Sequence, residues 1–186
     1  MKAAVVALAL CACPPRPSEV VEPTPKPAAP VPELEAEKVR VYPPVSVRKS
    51  STKYTLEVLG IELVGKVNPV GSMAAVNLTN WLRKLADDDL FITVGRRNVD
   101  MIEAKVTANC GEDEVACIKQ IAEVLQVDRL IYGIVNDFGG EFYVSLTMFD
   151  VASGKSVVWT GNTYAGSRDT EYTAKLALDG LIKRMP

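Results

Sequence analysis

Prolines are crowded into one part of this chain. Ten of its twelve prolines lie between residues 14 and 44 of 186. Proline lacks a backbone N–H and fixes φ, so such a segment cannot build a helix or a sheet and favours an extended conformation. At about 3.1 Å per residue it would span roughly 90–100 Å. We therefore predict a disordered, semi-rigid linker over residues 13–44 and a single folded domain over residues 45–186. A proline-rich ligand for a partner's groove is the alternative.

A short apolar segment precedes this linker. Lys2 is followed by eight apolar residues, 3–10, which is the arrangement of a signal peptide. The segment is too short to cross a bilayer, since a spanning helix needs about 20 residues. The next residues, LCAC at 10–13, resemble the lipobox of bacterial lipoprotein signal peptides. An ordinary secretory signal with incidental cysteines is the alternative.

The lipobox resemblance implies a membrane anchor. It predicts removal of residues 1–12 as a signal peptide and lipidation of Cys13. Each buried methylene contributes about 0.8 kcal/mol, so two or three acyl chains hold a protein stably on a membrane. By resemblance to the sorting rules of enteric lipoproteins, Pro14 in place of aspartate favours the outer membrane over the inner one. The predicted location is therefore the cell envelope, with the domain lipid-anchored on the periplasmic face.

Composition excludes several classes of function. The chain has 21 basic and 23 acidic residues, which is not the basic excess typical of a nucleic-acid binder. It has no histidine, so catalytic triads and histidine metal ligands are excluded. We identify no catalytic residue, no metal ligand and no cofactor-binding residue, and we predict that the protein is not an enzyme.

Apolar periodicity and turn residues predict nine elements in the domain. The first three are a strand at 54–64, a helix at 72–86 capped by Ser72, and a strand at 90–94. Two helices follow: one is capped by Asn98 and has Val99, Ile102 and Val106 on one face, and the other has Ile118, Ile121, Ala122 and Leu125 on one face. The last four are strands at 129–135, 141–149 and 156–164 and a helix at 170–183. Two successive glycine-bearing turns predict an antiparallel meander. The fold class is α/β (α+β): a mixed, mostly antiparallel sheet of about five strands with flanking helices, in the order β-α-β-α-α-β-β-β-α.

Two cysteines in the domain are seven positions apart, in NCGEDEVAC at 109–117. In an oxidising periplasm, Cys110 and Cys117 are expected to form a structural disulfide, because Gly111 lets the chain bend between them. Zinc is excluded because it needs four ligands. A redox pair is disfavoured because three acids separate the thiols and would raise their pKa. Free buried thiols remain the alternative, and a cytosolic chain would keep both reduced.

The segment from Cys110 to Val158 adds a family resemblance. It reads as two cysteines, a helix, a strand ending at Gly133, a Gly-Gly hairpin and the motif D-x-x-S-G-K at 150–155. Together with the lipobox and linker, residues 54–164 resemble periplasmic lipoprotein domains related to the amino-terminal domain of TolB, with similar cores in CsgG and FlgO. The resemblance implies a five-stranded sheet and a role in envelope assembly without catalysis. The tight hairpins here leave no room for the long membrane-spanning insertions of CsgG.

These observations predict a function class and not an activity. We expect a membrane-anchored periplasmic lipoprotein that acts as a protein-interaction or assembly module of the bacterial cell envelope. Its predicted partners are the membrane, through N-terminal acyl chains, and other envelope proteins, with homo-oligomers as a further option and no nucleic acid. The alternative is a module that binds a small molecule or glycan. A secretion-pore subunit or an enzyme fits the sequence less well.

Overall fold

The computed structural model describes residues 40–45, 54–89, 93–94, 99–111 and 114–185. The chain divides into two units, Met1–Arg40 and Val41–Pro186, and the described residues beyond Arg40 belong to the second. Within these ranges, no helix combines the length and apolar composition needed to cross a membrane. Predicted features at Cys13 and along most of the linker lie outside the described residues.

The second unit is a single sheet with helices on both faces. Its elements are β1 (Thr55–Val58), β2 (Glu62–Val64), α1 (Pro69–Asp89), β3 (Thr93–Val94), α2 (Met101–Thr107), α3 (Glu114–Leu125), β4 (Arg129–Asp137), β5 (Phe142–Asp150), β6 (Lys155–Thr163) and α4 (Ser167–Arg184). The strand order is β3-β1-β4-β5-β6, and β2 pairs with β4 beyond the end of β1. The predicted fold class and element order are confirmed.

The antiparallel meander β4-β5-β6 makes most of the sheet. Each of its two ladders pairs nine residues, whereas the parallel pairings of β1, β2 and β3 involve two or three residues each. Close approach of β4 and β5 requires Gly133, because a Cβ there would lie 2.2 Å from the backbone oxygen of Ser145. This register places alternate residues of each strand on opposite faces.

The main core lies on the face covered by α1 and α4. Its buried sheet residues alternate along the strands, as expected for one face of a sheet. The largest fully buried side chains of this core are Leu56, Leu78, Leu82, Ile131, Phe142, Leu146, Met148, Leu178 and Leu181. Leu178 and Leu181 come from α4, so the C-terminal helix is part of the core.

The opposite face is only partly covered. Helices α2 and α3 pack on Leu59, Leu130 and Phe149 and form a second, smaller core with them. Ile118, Ile121 and Ala122 of α3 are buried there, as predicted. The other strand residues on this face, further along the meander, have no described helix over them.

Three local predictions need correction. The strand predicted at 54–64 is two short strands, because at Gly60 the chain pairs with Asp100 and not with β4. Helix α1 begins at Pro69 and not after Ser72: Asn68 caps it, and proline is well tolerated as the first helical residue. Helix α2 is capped by Asp100, whose side chain accepts a 2.7 Å hydrogen bond from the Glu103 N–H.

The predicted buried face of α2 is also wrong. Ile102 and Val106 are exposed, whereas Met101 and Ala104 are buried. Met101 and Ala104, and not Ile102 and Val106, belong to the second core together with Leu59 and residues of α3, and this packing sets the rotation of α2 about its axis.

Candidate interaction surface

Exposed apolar side chains gather where β2 ends and β4 turns into β5. Phe138 is 72% exposed, Val67 is 75% exposed and Val70 is 49% exposed. Val64 pairs with Asn136 at the end of the β2–β4 ladder, which places the β2–α1 loop beside the β4–β5 turn. We call Val64, Val67, Val70 and Phe138 the hairpin end. These exposed side chains come from the end of β2, the β2–α1 loop, the first turn of α1 and the β4–β5 turn.

Asn68 holds these segments together. Its side-chain oxygen accepts a 2.7 Å hydrogen bond from the Gly71 N–H and so caps α1, while its side-chain nitrogen donates to Asp137 across 2.6 Å. One amide therefore links the start of α1 to the turn that carries Phe138. Val67 and Val70 flank this residue in the chain, so their positions are set by the same contact.

Asp137 also fixes the shape of the turn. Its Oδ1 accepts hydrogen bonds from the N–H groups of Gly139 and Gly140. The backbone N–H of Phe138 donates to the backbone carbonyl oxygen of Glu141. The two glycines have positive φ, a conformation that other residues rarely adopt. Hydrogen bonds from Gly140, Asn68 and Gly139 lower the pKa of Asp137, so the carboxylate stays charged at neutral pH. Phe138 is thus presented on a hydrogen-bonded turn.

A second surface continues from the hairpin end across the uncovered part of the sheet. We call its residues the open face, and they form three rows across β2, β4, β5 and β6. The first row is Tyr132, Thr147 and Val158, the second is Glu62, Ile134, Ser145 and Thr160, and the third is Val64, Asn136, Tyr143 and Asn162. Val158 is 47% exposed and Tyr143 is 38% exposed. Burial and the charge of Glu114 raise the pKa of Tyr132, and a hydrogen bond with Thr147 opposes them in part.

The motif D-x-x-S-G-K forms the β5–β6 turn and is held by hydrogen bonds within it. Asp150 accepts hydrogen bonds from the N–H and hydroxyl of Ser153 and pairs with Arg129 at 2.9 Å, where both side chains are buried. Arg129 also stacks on the ring of Tyr54, 3.6 Å from its centre. Burial by itself would raise the pKa of Asp150, but the bonds from Ser153 and Arg129 outweigh it, and the pKa lies below its usual value.

The structure joins Cys110 and Cys117 by a disulfide, with their Cα atoms 4.9 Å apart. The bridge fastens the α2–α3 connection to α3, where Cys117 is buried. An open depression beside it is lined partly by Lys105, Asn109 and Glu114. Among the residues that the structure describes, no group of three or more metal-ligating side chains could hold a metal ion.

Tyr42, which falls within the predicted linker, contacts the domain. Its ring packs on Tyr172 with centroids 4.6 Å apart, and its hydroxyl bonds to Asp169. Both partners lie on α4. The chain therefore reaches the domain on the α1/α4 side, which is opposite the open face.

The hairpin end and the open face were not predicted from the sequence. The turn at Gly139–Gly140 was predicted, but Phe138 just before it was given no role. The available signal was an aromatic residue inside a turn that otherwise uses aspartate and glycine, where small polar residues are usual. Glu62 fell within the strand predicted at 54–64 and was given no role.

No family model matches the chain, and no curated protein matches it. Several solved structures are similar. The C-terminal domain of LpoB from Salmonella enterica is 17% identical, with 61% of this chain and 84% of that chain covered and a TM-score of 0.39. Lipoprotein GNA1162 from Neisseria meningitidis is 11% identical over 61% of this chain and 82% of that chain, with a TM-score of 0.40.

TolB from Acinetobacter baumannii is a further similar structure. It is 9% identical over 75% of this chain and 30% of that chain, with a TM-score of 0.40. These are distant likenesses. The resemblance to the amino-terminal domain of TolB, CsgG and FlgO stays a prediction.

Proposed function

We propose that this chain is a membrane-anchored periplasmic lipoprotein whose domain docks other envelope proteins without catalysing a reaction. The observation that carries the proposal is the hairpin end, where Phe138 is 72% exposed on a turn held by Asn68 and Asp137. The proposed anchor is Cys13, and the proposed location is the periplasmic face of the outer membrane.

An exposed aromatic side chain on a fixed turn suits protein recognition. Large aromatics dominate the binding energy of interfaces when they enter a partner's pocket. A side chain that is already fixed loses less conformational entropy on binding than one on a mobile loop. Val64, Val67 and Val70 are also exposed at this end of the fold, and exposed apolar patches on a folded surface are typical of interaction sites.

The place where the chain joins the domain supports this arrangement. Tyr42 attaches to α4, on the face of the sheet opposite the open face. Through Tyr42, the chain is held on the α4 side of the sheet. At about 3.1 Å per residue, the residues between Cys13 and Tyr42 would let the domain reach roughly 85–90 Å from its anchor.

Site-specific photocrosslinking in the producing bacterium tests the proposal. A photoreactive amino acid replaces Phe138 in one strain and the exposed Lys119 of α3, outside both surfaces, in a control strain. We expect position 138, and not position 119, to crosslink to one reproducible envelope protein. Equal crosslinking at both positions, or none at position 138, would contradict docking through the hairpin end.

A further inference from the structure

The two cysteines of the disulfide are unequally accessible. Cys117 is 3% exposed and belongs to the second core, whereas Cys110 borders that core and is partly exposed. An open depression of about 730 Å³ lies beside the bridge, and both cysteines line it together with Lys105, Asn109 and Glu114. A small thiol, or the thiol-bearing loop of another protein, therefore meets Cys110 first when it approaches from solvent.

Opening this bridge is a local event. Helix α2 is held on the second core by Met101 and Ala104, and α3 is held there by Ile118 and Ile121. Side chains other than the two cysteines thus keep both helices on the sheet. The main core, on the opposite face, contains neither cysteine. Breaking the sulfur–sulfur bond frees the α2–α3 connection and leaves the main core in place.

We propose that Cys110 is a thiol-exchange site of the folded protein. A dithiol reductant attacks the Cys110 sulfur as a thiolate from the depression, and Cys117 leaves as a thiolate that takes a proton from water. The second thiol of the reductant then displaces Cys110. Two electrons and two protons pass to the bridge, which ends as two thiols, and the reductant ends as a disulfide.

Charges around the bridge determine which thiols react fastest. Three acids stand between the two cysteines in the sequence, Glu112, Asp113 and Glu114. Among the described residues that line the depression, Lys105 is the one basic side chain. The net charge of these four side chains is negative, so it attracts a cationic thiol and repels an anionic one. The favoured reductant is therefore neutral or cationic.

Reduction kinetics test whether exchange takes place in the folded state. The purified full chain carries serine at positions 11 and 13, so that the bridge is the only source of thiols, and reacts with dithiothreitol without denaturant. We expect a rate proportional to the dithiothreitol concentration and unchanged by Asn68→Ala, which destabilises the fold through α1 and the β4–β5 turn. A bridge that opens only in the unfolded chain would react about five- to thirtyfold faster in that variant, and this result would overturn the inference.

The attacked sulfur is located by mass spectrometry. The same chain reacts briefly with excess 2-mercaptoethanol, free thiols are alkylated at once, and tandem spectra assign both groups. We expect the mercaptoethanol adduct on Cys110 and the alkyl group on Cys117, because Cys117 is buried. Adducts mainly on Cys117, or no adduct on Cys110, would overturn the inference.

A pair of charged thiols tests the predicted selection. The rates with cysteamine, which is cationic, and with 2-mercaptoethanesulfonate, which is anionic, are each divided by the rate with a small neutral disulfide. We expect the ratio to favour cysteamine about tenfold at low salt and to fall at 1 M salt. Glu114→Gln should lower the ratio about threefold, whereas Glu123→Gln, exposed further along α3, should leave it unchanged. Equal ratios in the wild type and in Glu114→Gln would contradict the preference for cationic thiols.

Hydrogen exchange shows whether the effect stays local. In the reduced chain, backbone amides at 108–111 should exchange faster, while those of the β4–β5 ladder keep their protection. Loss of protection throughout the sheet would overturn the inference. These reactions need no other protein, so the inference goes beyond the proposed function and the two fail separately: crosslinking at position 138 decides docking, and reduction of the purified chain decides thiol exchange.

Discussion

Asn68 and Asp137 lie 69 residues apart in the chain and are joined by a 2.6 Å hydrogen bond between their side chains. Because Asn68 also caps α1, this contact couples the first turn of that helix to the β4–β5 turn. Hydrogen bonds therefore hold the parts of the hairpin end together, and Phe138 has a defined position on the β4–β5 turn.

Replacing Asn68 should destabilise the contact between α1 and the β4–β5 turn. Asn68→Ala removes the cap of α1 and the bond to Asp137, and we expect a loss of about 1–2 kcal/mol in the free energy of unfolding. Urea denaturation measures this loss in the free energy of unfolding. Asn80→Ala, on the exposed side of the same helix, should change stability by less than about 0.5 kcal/mol. Equal effects of the two variants would contradict the role given to Asn68.

Close approach of β4 and β5 gives a second prediction. A Cβ at position 133 would meet the Ser145 oxygen at 2.2 Å, whereas one at position 111 would meet nothing within 4 Å. Gly133→Ala should therefore cost about 3 kcal/mol, at the upper end for overpacking. Gly111→Ala should be close to neutral. Thermal unfolding compares them, and a Gly133→Ala variant as stable as the wild type would contradict the described register.

The disulfide gives a third prediction. Closing a loop of this size stabilises a folded chain by about 2–3 kcal/mol in the chain-entropy model. The double variant Cys110→Ser/Cys117→Ser should lose that amount, and a reducing agent should destabilise the wild type to the same level. The reducing agent should not affect the double variant. A wild-type protein that is insensitive to reduction would show that the bridge contributes nothing to stability.

The Arg129–Asp150 pair gives a prediction for pH. Since the pKa of Asp150 is lowered in the folded state, its stabilising contribution is complete above the unfolded value of about 4 and is lost as pH falls through the folded pKa. Asp150→Asn should remove this part of the acid dependence. It should also cost about 3–5 kcal/mol at neutral pH, because removing one charge of a buried ion pair is unfavourable. Denaturation curves between pH 2 and 7 measure both effects, and identical pH slopes would contradict the assignment.

The parts of the fold predicted well are those with a repeating local signal. The meander was found because Phe142, Val144, Leu146 and Met148 alternate with polar positions and because glycines mark both turns. Helix α3 was found because its apolar residues recur at helical spacing. In each case the whole pattern lies within one element, so it can be recognised without knowing which other segments pack against that element.

The parts that were missed depend on contacts between distant segments. Asn68-Pro69 looks like a loop until Asp137 is brought beside it, and only then is the asparagine recognisable as a cap. Ile102 and Val106 form an apolar stripe in the sequence, yet the helix is turned by Met101 and Ala104, which meet the second core. The exposure of Phe138 and the position of Glu62 follow from which strands pair, and no periodicity within the chain encodes that.

The central claim is that this domain works from an acyl anchor in the cell envelope, and the intact mass of the chain tests it most directly. The protein is extracted from the membrane fraction of the producing bacterium and measured without prior digestion. We predict a chain that begins at Cys13, carries acyl groups there and lacks the two hydrogens of a Cys110–Cys117 disulfide. A chain that retains residues 1–12, without lipid and with four free thiols, would contradict the envelope location and remove the basis for the proposed partners.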